Sequence, residues 1–360
     1  MIIGHGLAGA TLAHALRARG LQIHVLDDDR PSATSVAAGV VTPVTGPRLA
    51  LTWGFHTLAP VAAKFYADCA RDWNVPDFYR SRPIVRAFAD DAERIQLRKQ
   101  CDRRDDIARL MDPVDPAWPQ AFANAPLGCF QMNAAARLDT RAFLASSARV
   151  LRAEGQLERG AFDWNTLDPE GPIPVGDGRV ATRVVSCEGY KLLENPWFDD
   201  LPFIPAKGEL LQLRIPGLSD PRILNRRGKW LLHIKDDLWQ AGATFQKEVL
   251  DELPSRGARR EILAGIESYL LDPIPEERIL SQRAGVRPII PGAKLAIGPH
   301  PDHPRLLAFN GLGSKGVLRA PYFAQQLAAW IDKEEPLEPE STLATHMIRS
   351  RQKKRDVQRR

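Results

Sequence analysis

What this 360-residue chain has little of narrows its chemistry first. It has four cysteines, Cys69, Cys101, Cys129 and Cys187, which lie far apart with no C-x-x-C and no histidine at ligand spacing. Neither a metal site nor a redox pair is expected from them, and they read as reduced packing residues. No apolar run approaches the ~18 residues that a bilayer span needs. The first ten residues also lack the basic start of a secretion signal, so a cytoplasmic chain without a membrane span is the expectation.

An excess of charge is missing too, once it is located. The formal net charge is +5, but residues 349–360 hold seven basic side chains and one acid, a balance of +6 that leaves the rest of the chain at −1. A near-neutral body with a basic end reads as a solvated, disordered tail rather than as a nucleic-acid-binding device. With 44% hydrophobic residues the chain can bury a large core, and its length suits two domains or one elaborated domain.

What is present begins at residue 1. Met1-Ile2-Ile3 is followed by Gly4-His5-Gly6-Leu7-Ala8-Gly9, a helix with Ala10, Leu12, Ala13 and Leu16 on one face, a stop at Gly20, and Ile23, Val25 and Leu26 leading to Asp27. This reads as strand, glycine turn, helix and second strand, the dinucleotide-binding pattern. Gly4 permits the turn, Gly6 lets backbone N–H groups approach a pyrophosphate, and Gly9 lets helix and strand pack. The phosphates would sit on the positive end of the helix. Asp27, 18 positions after Gly9, is placed to accept from ribose hydroxyls, which disfavours an NADP-type ligand. The first strand is shorter than the usual five or six residues, so either it starts upstream or it is short here.

Further along, residues 32–48 form a small-residue loop rich in hydroxyls, able to lie against a flat ligand. Helices are expected at 54–72, 90–109 and 138–152, the charged one at 90–109 exposed, and a strand at 78–88. Residues 183–190 read as a buried parallel strand ending in Gly189, and 208–244 as successive antiparallel strands. A second glycine-rich block, Gly311-Leu312-Gly313-Ser314-Lys315-Gly316, feeds a helix that runs to about Ile331. Two such loops far apart in sequence imply one extended ligand held at both ends.

Taken together, IIGHGLAGA, SVAAGVV, VVSCEG, GVRP and NGLGSKGVLRAP resemble the D-amino-acid-oxidase/glycine-oxidase superfamily of FAD-dependent oxidoreductases over nearly the whole chain. The resemblance implies an α/β fold, with a Rossmann-type FAD-binding domain and a substrate domain on a mixed or antiparallel sheet. The FAD domain would be discontinuous, over 1–75, 135–204 and 286–348, with 76–134 and 205–285 as the substrate domain. It implies non-covalent FAD, with Gly4, Gly6, Leu7, Ala8, Gly9 and Asp27 at pyrophosphate and adenosine. Thr34, Ser35 and Gly39 would lie along phosphate and flavin, Gly189 over the dinucleotide, and Gly311, Gly313, Ser314, Lys315 and Gly316 beside the isoalloxazine. A lysine and a helix start there would also stabilise negative charge on a reduced ring; a solvated helix start is the other reading of Lys315.

Arg287 matches the arginine that takes a substrate carboxylate in glycine-oxidase-like enzymes, with a structural salt bridge as the alternative. Trp230 falls at an aromatic pocket position or in the core, and His233 is either a site residue or a satisfied strand histidine. Ser314 and His233 depart from the glycine-oxidase pattern, which has arginine and proline there, so glycine itself is not the expected substrate. The function implied is oxidation of the C–N bond of an amine or amino acid, with oxygen or another carrier as electron acceptor. Two rivals stand beside it: a tRNA-modifying oxidase acting on a wobble uridine, and a non-catalytic flavoprotein module.

Overall fold

The computed structural model describes residues 1–112, 124–176 and 178–358. Its helices are α1 (Leu7–Arg17), α2 (Ala33–Val36), α3 (Phe55–Asp72), α4 (Asp91–Arg103), α5 (Asp105–Ala108), α6 (Thr140–Ala153), α7 (Arg256–Glu267), α8 (Gly316–Lys333) and α9 (Leu343–Gln358). Two large sheets carry the architecture. The first has six strands in the order Leu157–Arg159, Val25–Asp27, Ile2–Ile3, Val184–Ser186, Leu306–Asn310 and Ala296–Pro299; all neighbours are parallel except the last pair. Its central strand, Ile2–Ile3, is only two residues long but lies between two parallel partners.

The second sheet has eight strands, in the order Ile279–Arg287, Ala206–Arg214, Leu238–Gly242, Lys229–Lys235, Ile223–Arg226, Ile84–Ala87, Cys129–Met132 and Met111–Asp112. Its pairings are antiparallel, except that Ile223–Arg226 runs parallel to Ile84–Ala87. The expected α/β class with a mixed second sheet is therefore present. Side chains alternate across this sheet. Val85, Leu211, Leu213, Leu224, Leu231 and Trp239 form a core with Ile262 and Ile266 of α7 on one face. The opposite face looks toward the parallel sheet.

The larger core lies around α1, α3 and α8, where Ala10, Leu12, Ala13, Phe323 and Ala324 are fully buried. Small residues on α1 let α8 approach closely, and Tyr66, Trp73, Phe78 and Phe143 stack edge-on or tilted beside them.

Two expectations change. The helix expected over 90–109 is broken at Arg104, whose backbone is extended, and it is not simply exposed: Glu93 on α4 is buried. The basic tail is not disordered over 349–358, because α9 continues to Gln358. Leu343 and Met347 are buried at its start, Arg351 pairs with Asp200 and Asp302, and Lys354 pairs with Asp200. Charge counted along the sequence missed acids that come from 151 and 49 residues away.

Candidate functional site

A cavity of about 490 Å³ lies between the two sheets, and residues from both glycine-rich blocks line it. At one end the turn after Ile2–Ile3 is built by close packing. A Cβ on Gly9 would stand 1.9 Å from the Gly4 carbonyl oxygen, so only glycine lets α1 rest on the strand end. Early N–H groups of a helix lack intrahelical acceptors. That of Leu7 is satisfied by Thr34 Oγ1 at 3.0 Å, which ties the hydroxyl loop to the turn.

Asp27 lines the cavity and accepts from the His5 backbone N–H at 2.7 Å. The His5 ring sits behind the turn, 2.8 Å from Ser147 Oγ, which also lies 3.1 Å from Nε2 of His14. Burial keeps both rings neutral, pushing His5 down to about 4 and His14 down to about 3.

Arg287 lines the cavity at the close of its strand. Its guanidinium lies over Gly208, where a Cβ would come within 2.0 Å of a guanidinium nitrogen. It donates to the Thr244 carbonyl at 3.2 Å and faces the Phe245 ring at 5.7 Å. No carboxylate of the described residues pairs with it, and burial lowers its affinity for the proton. The salt-bridge reading of Arg287 therefore has no partner. Lys315, at the start of α8, likewise has no acid; Nζ reaches Thr52 Oγ1 at 3.4 Å. Burial, aided by the nearby Arg319, brings its pKa down to about 8.

Of the residues singled out from the sequence, Gly4, Gly6, Leu7, Ala8, Asp27, Thr34, Gly39 and Gly189 line the cavity, as do Trp230, Arg287, Gly313, Ser314, Lys315 and Gly316. Gly9, Ser35, Gly311 and His233 are not among the lining residues. Gly9 serves packing, Ser35 closes a capping box with Ser32 on α2, and Gly311 packs against Ile290. His233 is the correction with the clearest cause. Trp230 faces the cavity, so three residues on the strand points the other way. There His233 stacks 4.8 Å from Trp239 and bonds the Asp236 carbonyl at 2.8 Å.

Sequence reading also missed residues. Arg86 and Asn225, paired across neighbouring strands, line the cavity, as do Glu188 and Gly208. Arg86 forms a buried ion pair with Glu93. Glu188 accepts from Ser186 and from the Trp164 indole, and burial raises its pKa. The available signal was the lone charge of Arg86 in the otherwise apolar strand Ile84–Ala87; Asn225 carried none.

The cavity suits an extended dinucleotide: the first glycine turn and Asp27 line it together with the second glycine block, whose Gly316 packs against Leu7. Gly6 supports this fit directly. A Cβ there would meet nothing closer than Thr34 Oγ1 at 3.7 Å, so the space beside the turn is kept open rather than filled by protein.

Comparison with known proteins agrees. The profile of the FAD dependent oxidoreductase family, DAO, matches residues 1–330. The chain is 25% identical to the tRNA 5-methylaminomethyl-2-thiouridine biosynthesis bifunctional protein MnmC of Marinobacter nauticus over 91% of its own length, but it spans only 54% of that relative. Among solved structures it superposes on iminodiacetate oxidase from Chelativorans sp. BNC1 with a TM-score of 0.76 at 22% identity, covering 95% of this chain and 98% of that one. Glycine oxidase from Bacillus cereus gives a TM-score of 0.75 at 18% identity, covering 93% and 95%.

Proposed function

We infer the reaction from the premise that this chain belongs to the DAO family of FAD-dependent oxidoreductases: it oxidises the C–N bond of an amine that carries a carboxylate. The observation that carries this reading is Arg287, a cation inside the cavity with one carbonyl contact and no acid. Such a group is costly unless an anion joins it, and the planar fork suits a carboxylate. FAD, when bound, supplies the two-electron acceptor that takes hydride from the carbon next to the amine nitrogen.

The protein's own residues then have four tasks. Arg287 orients the substrate through its carboxylate. Trp230 walls the cavity on the same sheet face. Lys315 and the start of α8 place positive charge where negative charge develops. Asp27 and the first turn of α1 hold the adenosine and pyrophosphate, and the resulting imine is hydrolysed in water. The division into FAD-binding segments 1–75, 135–204 and 286–348 and substrate segments 76–134 and 205–285 belongs to this proposal. The names of the neighbours are in keeping with it, since one acts on iminodiacetate and another on glycine.

The test is anaerobic bleaching of the protein-bound flavin against primary amines, amino acids and N-substituted glycines. Bleaching by carboxylate-bearing amines and not by their decarboxylated counterparts is the expected result. Bleaching by amines regardless of a carboxylate would overturn the anchoring role. A second reading, oxidation of a modified uridine in tRNA, is favoured by the match to one part of the bifunctional protein. Bleaching by a carboxymethylaminomethyl-uridine tRNA, but by none of the small amines, would select it.

A further inference from the structure

We propose that the cavity holds a second seat beyond the carboxylate clamp, built on Asn225, which receives the far end of an N-substituted amino acid through an amide-like donor–acceptor edge. The proposal rests on the C–N oxidation reading and names its substrate class. Asn225 lines the cavity, and its Oδ1 is buried without a hydrogen-bond partner among the described residues. A buried acceptor left unpaired is destabilising, so such atoms are normally satisfied.

The neighbours of Asn225 do not satisfy it. Across one flank its strand partner is Arg86, whose Nη2 donates to Glu93 and whose buried Nε likewise has no partner among the described residues. Across the other it faces Trp230, whose indole N–H is a donor but makes no hydrogen bond to Oδ1. Ile84, Ile223 and Met132 complete an apolar wall at this end of the cavity. A carboxamide in an apolar wall offers one acceptor and one donor side by side. The complementary partner is an amide edge, and rotating the side chain by half a turn leaves that complementarity intact.

Register sets the distance. Asn225 pairs with Trp230, Trp230 with Gly242, and Gly242 with Leu210. This is three inter-strand steps, or about 14 Å across the sheet. The Arg287 guanidinium lies over Gly208, two residues along from Leu210. A free α-amino acid anchored at Arg287 ends well short of Asn225. A secondary amine whose nitrogen bears a chain several bonds long, with an amide at its tip, spans the interval and passes over the Trp230 face.

The experiment uses the flavin-loaded full chain and three probes: N-methylglycine, N-(5-carbamoylpentyl)glycine and N-hexylglycine. Turnover is followed by flavin bleaching, and binding by perturbation of the flavin spectrum. In the wild type the carbamoyl compound should bind roughly tenfold or more tighter than the hexyl compound. Asn225→Leu should erase that preference while leaving N-methylglycine and FAD content unchanged, and the near-isosteric Asn225→Asp serves should the leucine variant not fold. Equal affinity of the two long probes, or equal weakening of all three in the variants, overturns the seat. Loss of FAD from Asn225→Asp also overturns it, by assigning the carboxamide to the cofactor. Failure of every probe to bleach the wild-type flavin would instead overturn the C–N oxidation reading, while the spectral binding data still decide the seat.

Discussion

Arg287 and Lys315 are two cations lining the cavity that lack an acid partner among the described residues. Arg287→Lys keeps the charge but loses the planar fork. It should lower kcat/KM for carboxylate-bearing amines by about ten- to a hundredfold, with FAD still bound. Wild-type kinetics from that variant on the best substrate would make Arg287 structural. Lys315 is expected to raise the flavin midpoint potential while it is protonated. Lys315→Met should therefore lower that potential in dye-coupled titrations, and the wild-type potential should fall more steeply with pH near 8, where the buried ammonium loses its proton. His5 and His14 titrate in the opposite sense for stability. Both are held below the ordinary 6.5, so above that pH neither the folded nor the unfolded chain protonates them. As pH falls from 6.5 toward 4, the unfolded chain takes up protons first, and each ring should cost about 2 kcal/mol by pH 5. Denaturant midpoints at pH 7.5 and 5 measure this loss. His14→Gln, which retains a polar partner for Ser147, should reduce the loss by about half; an unchanged loss would place the acid sensitivity elsewhere.

The start of α1 separates two uses of glycine. At Gly9 an added Cβ would collide with the Gly4 carbonyl, whereas at Gly6 it would enter the open cavity. Gly9→Ala should therefore lower the thermal stability of the FAD-free chain. Gly6→Ala should leave that stability near wild type and raise the FAD dissociation constant, measured by flavin fluorescence. The reverse pattern would mean that the ligand does not lie against this turn. At the other end of the chain, α9 keeps its apolar anchors Leu343 and Met347 when residues 349–360 are removed. What is lost is the cluster of Arg351 and Lys354 with Asp200 and Asp302. These pairs are largely exposed, so deletion should lower the denaturant midpoint only slightly and leave the flavin content unchanged. Loss of FAD on deletion would show that α9 supports the parallel sheet more directly than its ion pairs suggest.

As a whole, the molecule sets a cavity between a parallel sheet and the face of a mixed sheet, so that ligand binding and folding are coupled. A ligand that bridges both sheets binds the native chain and not the unfolded one. FAD at 100 times its dissociation constant should then add about 2.7 kcal/mol to the unfolding free energy. Calorimetry with and without added FAD checks this, and a single shifted transition is expected. If only one of two resolved transitions moved, the cofactor would be held by one sheet alone.

The first glycine turn, Asp27 and the helix after Gly316 were legible in the residues because each belongs to a local pattern: a glycine spacing, a strand ending in an acid, a loop feeding a helix; Arg287 was singled out only through the family resemblance. The α/β class came with the family resemblance that these motifs carry. Tertiary structure alone decided what depends on partners far away in sequence. His233 faces away because its strand alternates from Trp230, and Arg86 is neutralised by Glu93 on a helix that looked merely exposed. The tail folds onto acids that no local charge count could supply. Asn225 was silent in sequence because an asparagine in a strand carries no signature. Its place in the site comes from strand register, which brings it beside Trp230 and sets its distance from the carboxylate clamp.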